Sequence, residues 1–153
     1  MKISQTVNHE IIAILNQHVH ALHAELYPEY FKEYDFETVK EFFKTVINNP
    51  DFMFLLLEDD DEYVGYAWIE IKHYPESAFK KSYKAVYVHQ ISIAQSHTKK
   101  GYGSKLMEKI EGIAKANKAG KIELDYWCDN TNAKEFYKKN GFIKYREFVY
   151  KEV

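Results

Sequence analysis

Val86-Tyr87-Val88-His89-Gln90-Ile91-Ser92-Ile93 runs into Ala94-Gln95-Ser96-His97-Thr98-Lys99-Lys100 and then into Gly101-Tyr102-Gly103. The first part is rich in β-branched and aromatic residues and predicts a strand. The middle part is short, polar and basic. Leu106, Ile110, Ile113 and Ala114 follow at helical spacing, so the glycine pair opens a helix. The first N–H groups of a helix lack internal partners, and the helix dipole adds partial positive charge there. An anion such as a pyrophosphate binds at that point where glycines let it approach the backbone. The strand carries a second signal. Val86 and Val88 alternate correctly, and so do Ile91 and Ile93, but the phase slips by one residue between His89 and Ile91. Strand side chains alternate strictly, so the slip predicts a β-bulge or a strand buried on both faces. A bulge leaves backbone groups free to bind a ligand's amides.

Outward from this stretch, the 153 residues fit one domain, 1–153, with a sizeable core, and 46% of them are hydrophobic. The net charge of −2 carries no basic excess, which argues against a nucleic-acid partner. A single cysteine forms no internal disulfide and points to a reducing compartment. No apolar run approaches the ~20 residues that span a bilayer, and the first residues lack a signal-peptide core. The expectation is a cytoplasmic protein with no membrane partner.

From the start, Lys2 to Val7 reads as a short strand. Asn8 or Thr6 caps a helix over His9 to Leu26, whose apolar face is Ile11, Ile12, Leu15, Val19, Leu22 and Leu26. His20 and His23 form an i, i+3 pair, but no third ligand has a matching spacing, so no metal site is expected. Asp35 caps a second helix over Phe36 to Ile47. Between them, Leu26 to Tyr34 is dense in aromatic residues and reads as a loop on the core or as the wall of an amine pocket. Phe52 to Glu58 and Tyr63 to His73 read as strands joined by an acidic turn. A polar connection, Tyr74 to Lys84, leads to the opening stretch. After the helix that ends near Asn117, Ile122, Leu124 and Tyr126 alternate as a strand. Strand, helix, strand favours parallel pairing with a right-handed crossover. Asp129 or Asn130 starts a further helix with Ala133, Phe136 and Tyr137, and Phe142 to Val153 reads as a last strand.

Gly101-Tyr102-Gly103, followed in order by Asn130-Thr131-Asn132-Ala133-Lys134-Glu135-Phe136-Tyr137 and Asn140-Gly141-Phe142, resembles the GNAT superfamily of acyl-CoA-dependent N-acetyltransferases. The similarity spans roughly Phe52 to Tyr145. It implies an α/β fold of the α+β type, with a central mixed sheet of about six to seven strands flanked by helices. Splayed parallel strands then form the acyl-CoA cleft. It implies acetyl-CoA as co-substrate and no metal. It also implies that amides from Thr98, Lys99, Lys100, Gly101, Tyr102, Gly103 and Ser104 hold the pyrophosphate. Ile91, Ser92 and Ile93 then present backbone groups to the pantetheine arm, and Asn130, Ala133 and Tyr137 complete the cofactor site. The family's phosphate loop usually opens with Gln or Arg where this chain has Thr98.

The implied chemistry is attack of a primary amine, on a small molecule or a peptide, on a thioester. An alkyl ammonium with a reference pKa of ~10.4 must first lose a proton. The resemblance makes Tyr137 the acid that protonates the departing thiolate. His89 and Gln90 stand where many relatives place a carboxylate. Gln is no base, so His89 is the candidate, with Glu70, Asp125 or a water chain as rivals. Cys128 lies beside the proposed cleft without an activating partner. A second reading competes, an acyl-CoA-binding regulatory module without catalysis. The aromatic final strand also offers a surface for a homodimer.

Overall fold

The computed structural model describes residues Met1–Val153. Five strands form one sheet in the order β1-β2-β3-β4-β5. They are β1 (Lys2–Thr6), β2 (Phe52–Asp59), β3 (Glu62–Tyr74), β4 (Tyr83–Ile93) and β5 (Lys121–Glu123). β1 to β4 pair antiparallel, and β4 pairs with β5 in parallel. The helices are α1 (His9–Leu26), α2 (Phe36–Val46), α3 (Tyr102–Ala116) and α4 (Thr131–Lys139), with a 3₁₀ turn at Gln95–His97.

Alternation along the strands divides the core into two layers. Leu55, Leu57, Ala67, Ile69, Val86 and Val88 face α3, which answers with Leu106, Met107, Ile110 and Ala114. Phe54, Leu56, Tyr66 and Trp68 face α1 and α2, which supply Ile12, Ala13, Phe43 and Ile47. Full burial of one such Leu or Ile side chain is worth about 1.5–3 kcal/mol. Asn8 caps α1 by accepting from Ile11 N–H at 3.1 Å, and Asp35 caps α2 by accepting from Thr38 N–H at 2.9 Å. Asp35 was legible as a short polar residue before an apolar stripe, and for α1 the structure selects Asn8 over Thr6.

Two expectations fail. The sheet has five strands, not six to seven. The missing strand is the last one. Residues 142–153 form no ladder, and Phe148 and Val149 are solvent-exposed. β-favouring residues need a partner edge, and here the neighbouring edge is too short to template them. β5 covers only Lys121–Glu123, although the alternation ran on to Tyr126. The expected parallel pairing is present, but only for Ala85 to Tyr87 against Lys121 to Glu123. Beyond Tyr87, β4 continues to Ile93 and remains paired to β3 alone.

Candidate active site

The phase slip in β4 is a bulge. Trp68 pairs with Gln90 and Ile69 with Val88, so His89 has no partner residue on β3. The extra residue turns His89 and Gln90 to the same side of the sheet, the side covered by α1 and α2. His89 stacks on Trp68 there, with ring centroids 4.4 Å apart, and Gln90 meets Asn16 of α1. Ile91 and Ile93 return to the α3 layer.

His89 Nε2 lies 2.7 Å from Glu70 Oε2. Glu70 was a rival to His89 as base, and the structure joins the two. A carboxylate only accepts, so Nε2 carries the proton and Nδ1 keeps its lone pair. Nδ1 has no partner in the protein. Trp68 Nε1 is the single buried side-chain polar atom without a partner, so His89 Nδ1 is open to solvent. Asp125, the other rival, instead accepts a hydrogen bond from Tyr87 Oη at 2.6 Å. Tyr87 in turn lies against His89, with centroids 4.9 Å apart.

Tyr137 projects from α4 among aromatic rings. Tyr126 stacks on it at 5.8 Å, and Phe136 and Phe142 meet it edge-on at 5.1 and 5.4 Å. Burial, and secondarily the Asp125 carboxylate, push its hydroxyl up to about 12. Its oxygen has no partner within the protein and is open to solvent.

The glycine loop divides its work between its two glycines. Gly101 sits in the left-handed region at φ 83° and forms the N-cap of α3. Lys99 is left-handed too, at φ 64°. Helical bonding begins with Lys105 N–H on Gly101 C=O, so the amides of Tyr102, Gly103 and Ser104 precede the ladder as free donors. Gly103 has a different task from the one its spacing suggests. A Cβ there would stand 2.8 Å from Phe136 Cε2 of α4, so its small size closes α3 onto α4. Thr98 also departs from expectation, because its N–H is spent on Gln95 C=O at 3.4 Å and its hydroxyl on the same oxygen at 3.0 Å. Lys100 follows Lys99 in the exposed part of this loop. Tyr102 Oη donates to Asp59, which also binds the Met1 ammonium, and so ties the start of α3 to β2.

Asn130 is buried, and its side chain accepts from Ala133 N–H at 3.1 Å, which makes the pair the cap of α4. Ser92 is buried and donates to Leu15 C=O of α1 at 2.9 Å, while its backbone belongs to the part of β4 that β5 leaves open. The aromatic loop after α1 packs against Trp127, with Tyr27 at 4.5 Å and Tyr30 at 5.6 Å between ring centroids. That contact has no local sequence signal, because it joins residues a hundred positions apart. Cys128 is exposed beside it.

The site thus combines an open strand edge, a bulged His–Glu pair and a helix N-terminus behind a glycine loop. Residues 18–142 match the model of the Acetyltransferase (GNAT) family. The chain belongs to the GNAT acetyltransferase family. Solved structures share the fold. A mutant of the BH1408 protein from Bacillus halodurans superposes with a TM-score of 0.93 at 23% identity, covering 100% of this chain and 99% of that one. The apo aminoglycoside antibiotic 6'-N-acetyltransferase AAC(6')-IG from Acinetobacter haemolyticus gives 0.74 at 14%, covering 100% and 98%. Aminoglycoside N-acetyltransferase AAC(6')-Iy in complex with CoA gives 0.70 at 15%, covering 99% and 93%.

Proposed function

We propose that the protein is an N-acetyltransferase of one domain, residues 1–153, which moves the acetyl group of acetyl-CoA to a primary amine of a small molecule or a peptide. One observation carries the reading: β4 parts from β5 after Tyr87, and the bulge at His89 falls at the point of parting. The unpaired edge of β4, including Ile91, Ser92 and Ile93, suits the amides of a pantetheine arm. The free amides at the start of α3, with Lys99 and Lys100 beside them, suit a pyrophosphate. The CoA complex of the aminoglycoside enzyme with this fold supports the same coenzyme here.

In this reading His89 Nδ1 takes a proton from the acceptor ammonium, and Glu70 stabilises the imidazolium that results. The freed amine attacks the thioester carbon. Edge N–H groups of β4 receive the oxyanion of the tetrahedral intermediate. The intermediate collapses with cleavage of the C–S bond, the nitrogen sheds its second proton to solvent to give the neutral amide, and Tyr137 Oη gives a proton to the thiolate and regains one from solvent. The rival reading, a binding module without catalysis, drew on Gln90 in place of a carboxylate. The His89–Glu70 pair supports the enzyme, because it supplies a base one residue away.

The experiment is a thermal scan with acetyl-CoA beside thiol release over a panel of amines. Ligand at ~100-fold excess over its Kd adds about 2.7 kcal/mol to the native state, a clear rise in midpoint. No rise rejects the coenzyme. A rise without thiol release on any amine favours the inert module. The exposed Phe148 and Tyr150 also support a homodimer through the C-terminal arm.

A further inference from the structure

Gln90 was set aside above because an amide is no base, yet its position is as constrained as that of His89. Its Oε1 accepts two hydrogen bonds, from Tyr66 Oη at 2.6 Å and from Asn16 Nδ2 at 3.2 Å. Asn16 also donates to Tyr66 Oη at 3.0 Å, so the three side chains close a ring of contacts between α1, β3 and β4. Tyr66 is fully buried and Asn16 is 3% exposed. A saturated oxygen fixes the amide orientation, and the Nε2 donors point the other way. Nε2 has no partner in the protein, and Trp68 Nε1 is the one buried orphan, so Gln90 Nε2 faces open space.

That orphan lies next door. Trp68 pairs directly with Gln90 in the β3–β4 register, and its ring is the platform for His89. Further along β3, Lys72 Nζ stands 4.8 Å above the Tyr87 ring and forms no ion pair. Gln90 Nε2 is therefore a free donor on the face that carries His89, beside the acceptors His89 Nδ1 and the second carboxylate oxygen of Glu70. An ammonium suits those acceptors, and the unpaired Gln90 donor complements an oxygen carried next to that ammonium.

We propose that Gln90 Nε2 binds a carbonyl or carboxylate oxygen next to the acceptor's amine, so that the acceptor is an α-amino acid or the N-terminus of a peptide. The bulge places His89 and Gln90 consecutively on one face, so one α-amino acid unit meets both side chains. The thioester belongs to the slot between β4 and β5, where backbone N–H groups serve its oxygen, and Gln90 is left for the acceptor. This inference rests on the acetyltransferase reading and adds the class of amine.

The test uses acetyl-CoA with three acceptors of one skeleton: phenylalanine, phenylalaninamide and phenethylamine. With the intact protein, kcat/KM is expected to be at least about tenfold higher for a carbonyl-bearing acceptor than for phenethylamine, the worth of one hydrogen bond. Phenylalanine ahead of its amide assigns the free amino acid, and the reverse assigns the peptide end. Gln90→Glu keeps the oxygen that Tyr66 and Asn16 bind but replaces the donor by an acceptor, so the ratio should fall to about one or below. Gln90→Leu removes both, and a midpoint in the thermal scan reports whether that variant folds. A ratio near one in the intact protein, or a ratio unmoved in Gln90→Glu, overturns the inference. Turnover of spermine with none of the three acceptors overturns it too, while leaving the acetyltransferase reading standing. Acetyl-CoA binding without turnover of any amine rejects the reading beneath it.

Discussion

Tyr137 projects from α4 into a cage of aromatic rings formed by Tyr126, Phe136 and Phe142. Burial and the nearby Asp125 charge hold its hydroxyl protonated up to about 12, which suits an acid and excludes a base at neutral pH. Tyr137→Phe is expected to lower kcat and kcat/KM together by roughly 10²-fold, the lower end for general acid catalysis, because a thiolate leaves readily. Acetyl-CoA affinity, measured directly, should change little, and lost affinity would make the hydroxyl a coenzyme contact. The same shift has a consequence for stability. A tyrosine whose folded pKa is raised contributes fully below its ordinary value near ~10 and loses that contribution as pH rises towards 12. Urea midpoints at neutral pH and at the alkaline end of that window should converge for the two proteins if this is right, with the decline larger in the native chain.

The elements meet through glycines as much as through apolar stripes. Gly65 lets β3 approach β4, since a Cβ there would stand 2.7 Å from Ser92 C=O and 2.6 Å from Ile93 Cδ1. Gly103 does the same between α3 and α4. Gly103→Val is expected to lower stability by about 1–3 kcal/mol, the ordinary cost of overpacking. Its cause is the Phe136 ring, so Phe136→Leu in the same chain should restore part of the loss. Gly65→Ala presses on a backbone oxygen instead, and no side-chain change should rescue it. Denaturant midpoints of the single and double variants decide both statements. If Phe136→Leu gives no recovery, the glycine serves the coenzyme and not the helix pair.

At the scale of the molecule, the C-terminal arm is the part least bound to the rest. Tyr145 Oη donates to Glu123 at 2.5 Å, and Lys121 Nζ lies 5.4 Å from the Tyr145 ring. Beyond that, Phe148, Val149 and Tyr150 meet solvent. An exposed β-favouring segment is a template for a strand partner, and a second copy would supply one in a two-fold arrangement. Sedimentation should show a dimer, and Phe148→Glu with Tyr150→Glu should return a monomer with unchanged far-UV circular dichroism. A monomeric native chain at micromolar concentration removes the homodimer.

Local patterns in the sequence determined most of the frame. Helix stripes, the cap at Asp35, the caps of α1 and α4 to within two residues, the antiparallel hairpin across the acidic turn and the one-residue slip at His89 are all short-range signals, because each depends on neighbours within a turn or a strand. The glycine loop and the Asn130 to Phe142 run carried the family in the same way. What tertiary structure alone decided is pairing between distant segments. His89 and Glu70 join only because the bulge sets their register. Gly103 is small because Phe136 returns to it from another helix. Gln90 is oriented by Asn16, which is separated from it by one helix and two strands. The arm from Phe142 has the alternation of a strand but no partner edge. A ladder needs two edges, and a sequence pattern describes only one.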